Sequence, residues 1–74
     1  DLPEKRVEKE ELRRLLKEGI RSLSDRERLV ITLYYFEGMT LKEIGLTLDV
    51  SESRVSQIHS RALIKLRNKL KSLI

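Results

Sequence analysis

Apolar positions recur along this chain at helical spacing, and Ser or Thr residues mark where helices begin. From Glu4 to about Arg21, Val7, Leu12, Leu15, Leu16 and Ile20 fall between charged residues, a helical and not a strand period. Pro3 suits the first turn of that helix, where its missing N–H costs nothing, while Gly19 weakens the last turn. Ser24-Asp25-Arg26-Glu27 has the S-x-x-E form of a capping box, in which hydroxyl and carboxylate each satisfy a backbone donor of the first turn. The helix it opens carries Leu29, Val30, Ile31, Leu33, Tyr34, Tyr35 and Phe36, a β-branched and aromatic run that reads as a strand without the cap. Glu37-Gly38 closes it, because Gly adopts the left-handed conformation beyond a last turn.

Thr40-Leu41-Lys42-Glu43 is a second capping box and opens a short helix through Ile44, Gly45 and Leu48. Ser51 caps a long one, from about Glu52 to Ser72, with Val55, Ile58, Ala62, Leu66, Leu70 and Leu73 at core-facing spacing. The pattern predicts an all-α fold: a small four-helix domain containing a C-terminal helix-turn-helix over about residues 40–62.

At 74 residues the chain has room for one small domain, 1–74, with a thin stability margin and no large catalytic cavity. It opens on Asp1 and its only methionine is Met39, so a piece of a longer protein is expected. The absence of Cys excludes disulfides and thiolate metal sites, and no apolar run is long enough to span a bilayer. With a single histidine, His59, no metal set can be assembled around imidazole; it is read as a boundary residue. No paired acids, nucleophile–base set or Gly-rich phosphate loop is present, so neither an enzyme nor a cofactor is expected.

Charge is unevenly placed. Leu23 to Val50 carries three bases and five acids, whereas Ser51 to Ile74 carries six bases and one acid, Glu52. A basic end beside an acidic middle suits a polyanion partner.

The stretch from Thr40 to Ala62 carries the function. Ile44, Leu48, Val50, Val55 and Ile58 form a wedge between two helices, Gly45 lets backbones approach, and Asp49 takes the turn position that favours left-handed φ. With Val55 pointing inward, a turn of about 100° per residue puts Ser53, Gln57, Ser60 and Ile64 within about 40° of the outward direction. Arg54 and Arg61 flank one side of that face, Ser56 and Arg67 the other. Short polar side chains bordered by cations are what major-groove reading needs: Gln57 can pair bidentately with adenine, and Glu52 can accept from cytosine N4 or favour the helix N-terminus. Tyr34-Tyr35-Phe36 is expected to pack in the core or in a partner groove rather than to stack on bases.

Three strings taken together, Leu23-Ser24-Asp25-Arg26-Glu27-Arg28, Leu33 to Gly45 and Val50 to Ala62, strongly resemble region 4 of bacterial sigma-70-family factors. The run Ser51 to Ser60 is most similar to the flagellar (motility) branch. The resemblance implies a bacterial cytoplasmic protein whose second motif helix docks on the double-stranded promoter −35 element. It also implies that an apolar groove binds the β-subunit flap of RNA polymerase core, and that an anti-sigma factor covers part of the region. By position, Glu52, Ser53, Ser56 and Gln57 would face bases. Arg54 and Arg61 would contact bases or phosphates, and Thr40, Leu41 and Lys42 would approach phosphate. Primary sigma factors generally carry Arg then Glu where this chain has Glu52 and Ser53, which implies a different −35 preference. Two other readings of the residues stand beside this one: the DNA-binding output domain of a response regulator, and a helical protein-interaction module.

Overall fold

The computed structural model describes residues 8–71. Four α-helices follow one another, α1 (Lys9–Ser22), α2 (Asp25–Ile31), α3 (Leu41–Leu48) and α4 (Glu52–Leu70), and no strand occurs among the described residues. The expected start of the first helix at Glu4, with Pro3 and Val7, and the end of the last at Ser72 and Leu73, lie outside the described residues.

Each start is chemically marked. Both expected capping boxes are formed: Ser24 Oγ accepts from Glu27 N at 3.1 Å and Glu27 Oε1 from Ser24 N at 2.9 Å, with Thr40 and Glu43 repeating the exchange. Ser51 Oγ accepts from Arg54 N at 3.0 Å and so opens α4. The end of α1 is closed from outside: the Arg28 guanidinium donates to the carbonyls of Ile20, Arg21 and Leu23 at 2.9–3.1 Å. Carbonyls at a helix terminus lack the donor of a following turn, and of these three only Ile20 also receives a cap N–H, that of Leu23 at 3.2 Å.

The second helix departs from expectation. It is not a single α-helix to Phe36: after Ile31 the chain widens into a π-helical segment, Thr32–Phe36. Glu37 N donates to Thr32 O five residues back at 3.2 Å, and Met39 N reaches Leu33 O at 3.0 Å, with Gly38 between them at φ 68°. A run of Thr and bulky aromatics crowds an ordinary helical turn, and the wider turn separates its side chains. The segment buries none of its residues; Tyr35 is 52% and Phe36 75% exposed, so the aromatics do not supply the core.

The core lies along α4 in two patches. Val30, Ile44, Val55 and Ile58 form the first, with Leu33, Met39, Leu41, Leu48 and Val50 packed against it. Leu23, Ile31 and Ala62 form the second, with Leu66 beside them. Leu66 and Leu70 are half-buried, unlike the fully enclosed Val55 and Ala62. Gly19 does more than weaken α1: a Cβ there would lie 2.9 Å from Leu66 Cδ2, so its absence lets α1 settle on α4.

Candidate nucleic-acid interface

The hinge between α3 and α4 decides where α4 points. Asp49 stands at φ 58°, and the N–H groups of Asp49 and Val50 both turn back to the Gly45 carbonyl, the latter at 2.9 Å. Gly45 is buried, and a Cβ on it would sit 2.8 Å from Val50 O. The close approach is therefore between α3 and the turn itself, where backbone has little room to give. Ile44 and Val55 are wholly enclosed, and Val50 and Leu48 complete the expected wedge.

With Val55 and Ile58 held inward, Ser53, Gln57 and Ser60 are exposed, as are Glu52, Arg54, Ser56 and Arg61. Arg54 Nη1 donates to Gln57 Oε1 at 3.3 Å, one turn along the same face. Thr40 and Lys42 are exposed, but Leu41 is half-buried against the first core patch, so its side chain serves packing. An open groove lined by Tyr34, Gly38, Met39, Thr40, Leu41, Lys42 and Glu52 brings the start of α3 to the start of α4. Ser53, Arg54, Ser56, Gln57 and Arg61 do not line it; they continue along α4.

Two carboxylates near this surface are committed to structure. Glu43 is held below its ordinary pKa by the Thr40 backbone N–H and then the Thr40 hydroxyl. Glu27 is held low first by Lys65, whose Nζ lies 2.8 Å from Oε1, and then by the Ser24 N–H. Lys65 offsets the charge of Glu27, whereas Glu43 stays ionised and exposed beside neutral partners, so it is Lys42 and the cations of α4 that favour a polyanion here. Among the described residues no group of three or more His, Cys, Asp or Glu could hold a metal, and no helix is long and apolar enough to cross a membrane.

Sequence reasoning missed one cluster. His59 on α4 stacks on Tyr35 with ring centroids 5.6 Å apart, and Tyr34 lies 5.0 Å from it. Tyr35 Oη is 2.9 Å from His59 Nε2. His59 is half-buried, as a boundary residue should be, yet its 24-residue separation from Tyr35 left no local signal of the pairing.

Residues 19–68 match the family model described as sigma-70, region 4. The chain belongs to the sigma-70 region 4 family. That membership decides against the response-regulator alternative. Region 4 here is 51% identical to the RNA polymerase sigma-D factor of Bacillus subtilis over 72 residues, 97% of this chain and 28% of that protein. It is 56% identical to the RNA polymerase sigma factor FliA of Salmonella typhimurium over 63 residues, 85% of this chain and 26% of that protein. The FliA factor of Escherichia coli K12 is likewise 56% identical, over 84% of this chain and 26% of its own length. The likeness is thus to the flagellar branch, and the chain spans about a quarter of the length of the curated relatives it matches.

Proposed function

We propose that this region 4 reads the promoter −35 element as part of a flagellar-type RNA polymerase holoenzyme, in the bacterial cytoplasm. It works by binding alone. The observation that carries the reading is the split along α4: Val55 and Ile58 enclosed in the hinge, Ser53 and Gln57 facing solvent between cations. In this arrangement Glu52, Ser53, Ser56 and Gln57 meet base edges, and Arg54 and Arg61 meet bases or phosphates. Lys42 and Thr40 approach the backbone where the groove joins α3 to α4, with the Leu41 and Lys42 N–H groups directed to phosphate, those of Thr40 and Glu43 being taken by the capping box.

The polymerase contact uses another flank. Leu16, Leu63, Leu66 and Leu70 line an apolar groove between α1 and α4, edged by Arg67 and Lys71 with no acid in the lining. That suits an amphipathic helix, the role the family gives the β-flap helix, and makes the same groove the surface an anti-sigma factor would cover. Affinity for DNA of the isolated chain is weak and steeply salt-dependent, because phosphate neutralisation supplies most of it.

Selection of the chain's preferred duplex from a randomised pool, followed by binding at several salt concentrations, tests the proposal. One copy bound to an asymmetric site, with affinity falling as salt rises, supports it. Equal binding to every sequence, or two copies on a two-fold-symmetric site, overturns it.

A further inference from the structure

On α4, the core-facing residues Ile58, Ala62, Val55 and Leu66 occupy a narrow arc, from about −60° to about +20° around the Val55 direction. The hinge and the enclosed Val55 and Ala62 set which face of α4 is inward, and directional contacts at the borders of the strip add the finer constraint on its roll, since apolar packing is not itself directional. Rotation matters here: a roll of about 20° carries a side-chain tip, about 5–6 Å from the helix axis, through about 2 Å, enough to break a hydrogen bond to a base edge.

Two directional contacts stand on opposite borders of the strip. Lys65, at about −80°, reaches Glu27 on α2 at 2.8 Å. His59, at about +40°, reaches Tyr35 on the π-helical segment at 2.9 Å, and Tyr34 closes over the same imidazole. Of the two, His59 lies within the half of α4 that carries Ser53, Gln57 and Ser60. The bond survives either imidazole state, since the phenol donates to a bare Nε2 and accepts from a protonated one. The widened turn also has a use in this light. It carries consecutive tyrosines, 4.8 Å apart edge to face, to the same histidine.

We propose that Tyr35 and His59 are positioning residues for sequence reading: within the face that the hinge turns outward, their hydrogen bond holds the last degrees of roll of α4, and so the alignment of Ser53, Ser56 and Gln57 with base edges. The inference rests on the DNA-reading function proposed above. Neither residue touches DNA in this account; they act through Ser53, Ser56 and Gln57.

The test uses the whole chain and the duplex it selects from a random pool, with a scrambled duplex as reference. Tyr35→Phe removes only the hydroxyl, and His59→Leu removes the partner nitrogen. Each is expected to lower the ratio of preferred to scrambled affinity by roughly three- to tenfold, with scrambled affinity and melting temperature close to those of the unaltered chain. His59→Gln, whose amide can pair with the phenol, is expected to recover part of the ratio. An unchanged ratio in Tyr35→Phe overturns the proposal, as do preferred and scrambled affinities that fall together with melting temperature. If the unaltered chain itself prefers no sequence, the reading function fails first. A preference that persists in both variants sinks the positioning role alone.

Discussion

Lys65 on α4 holds the Glu27 carboxylate on α2 at 2.8 Å, across 38 residues of chain, while the same Oε1 caps the Ser24 N–H. One oxygen thus ties a helix start to the far half of the longest helix. Glu27 is 8% exposed while the Lys65 side chain stays 49% exposed, so only the carboxylate end of the pair is sheltered from water. Glu27→Ala removes the reciprocal cap and the contact with Lys65, and is expected to cost about 1–2 kcal/mol in chemical denaturation. Glu27→Gln, which keeps the cap oxygen, is expected to cost less.

The same carboxylate gives stability a pH dependence. Lys65 and the Ser24 N–H hold Glu27 below its ordinary pKa, and the Thr40 N–H does the same for Glu43. The unfolded chain therefore takes up these protons at higher pH than the native one. Their stabilisation is complete above the ordinary glutamate range and is lost as pH falls through the depressed native values. Denaturation midpoints between about pH 6 and pH 3 are expected to fall less steeply in a Glu27→Gln, Glu43→Gln variant than in the unaltered chain.

At the hinge, Gly45→Ala sets a methyl 2.8 Å from the Val50 carbonyl, a backbone atom that cannot swing aside. The expected loss is about 1–3 kcal/mol, accompanied by weaker selection among duplexes because α4 is re-aimed. Asp49, at φ 58°, is expected to behave oppositely on replacement by Gly, which enters the left-handed region without penalty: unchanged or raised melting temperature. Asp49→Val is expected to cost about 1–2 kcal/mol.

Arg28→Ala removes the guanidinium from the carbonyls of Ile20, Arg21 and Leu23, of which Ile20 keeps the Leu23 N–H. A loss of about 1.5–3 kcal/mol is expected, read by thermal melting. Arg28→Lys is expected to recover only a fraction, since an ammonium lacks the planar fork that serves several acceptors at once.

Gln57→Ala is expected to flatten preference at one base pair of the selected duplex, costing about 1–3 kcal/mol there, and to leave the other positions unchanged. A selection profile shows this directly. Arg61→Ala, in contrast, is expected to weaken binding to all sequences and to make the salt dependence shallower by about one unit.

What could be read before the fold was known follows the range of each interaction. Ser24, Thr40 and Ser51 announce helix starts because a cap joins residues three apart. Val55 and Ile58 could be set inward, and Ser53 and Gln57 outward, because helical periodicity needs no tertiary information. The π-helical turn at Thr32–Phe36 was not legible, since caps and periodicity describe ordinary turns and say nothing of a ladder one residue wider. Nor were the contacts of Tyr35 with His59, Glu27 with Lys65 or Gly19 with Leu66, each of which exists only once distant helices meet. Leu41 shows the same limit at the candidate site: its place in the motif suggests a contact, and only the fold shows a half-buried side chain that both packs on the first core patch and lines the groove.

The central claim is that a rigid hinge turns one face of α4 toward DNA and leaves a separate apolar groove for the polymerase. Amide chemical-shift mapping of the chain tests it most directly, first with the selected duplex and then with a peptide of the β-flap helix. The duplex is expected to shift Lys42, Glu52, Ser53, Ser56 and Gln57, and the peptide to shift Leu16, Leu63, Leu66 and Leu70. Duplex-induced shifts confined to the leucine groove, with Ser53 and Gln57 unmoved, would contradict it.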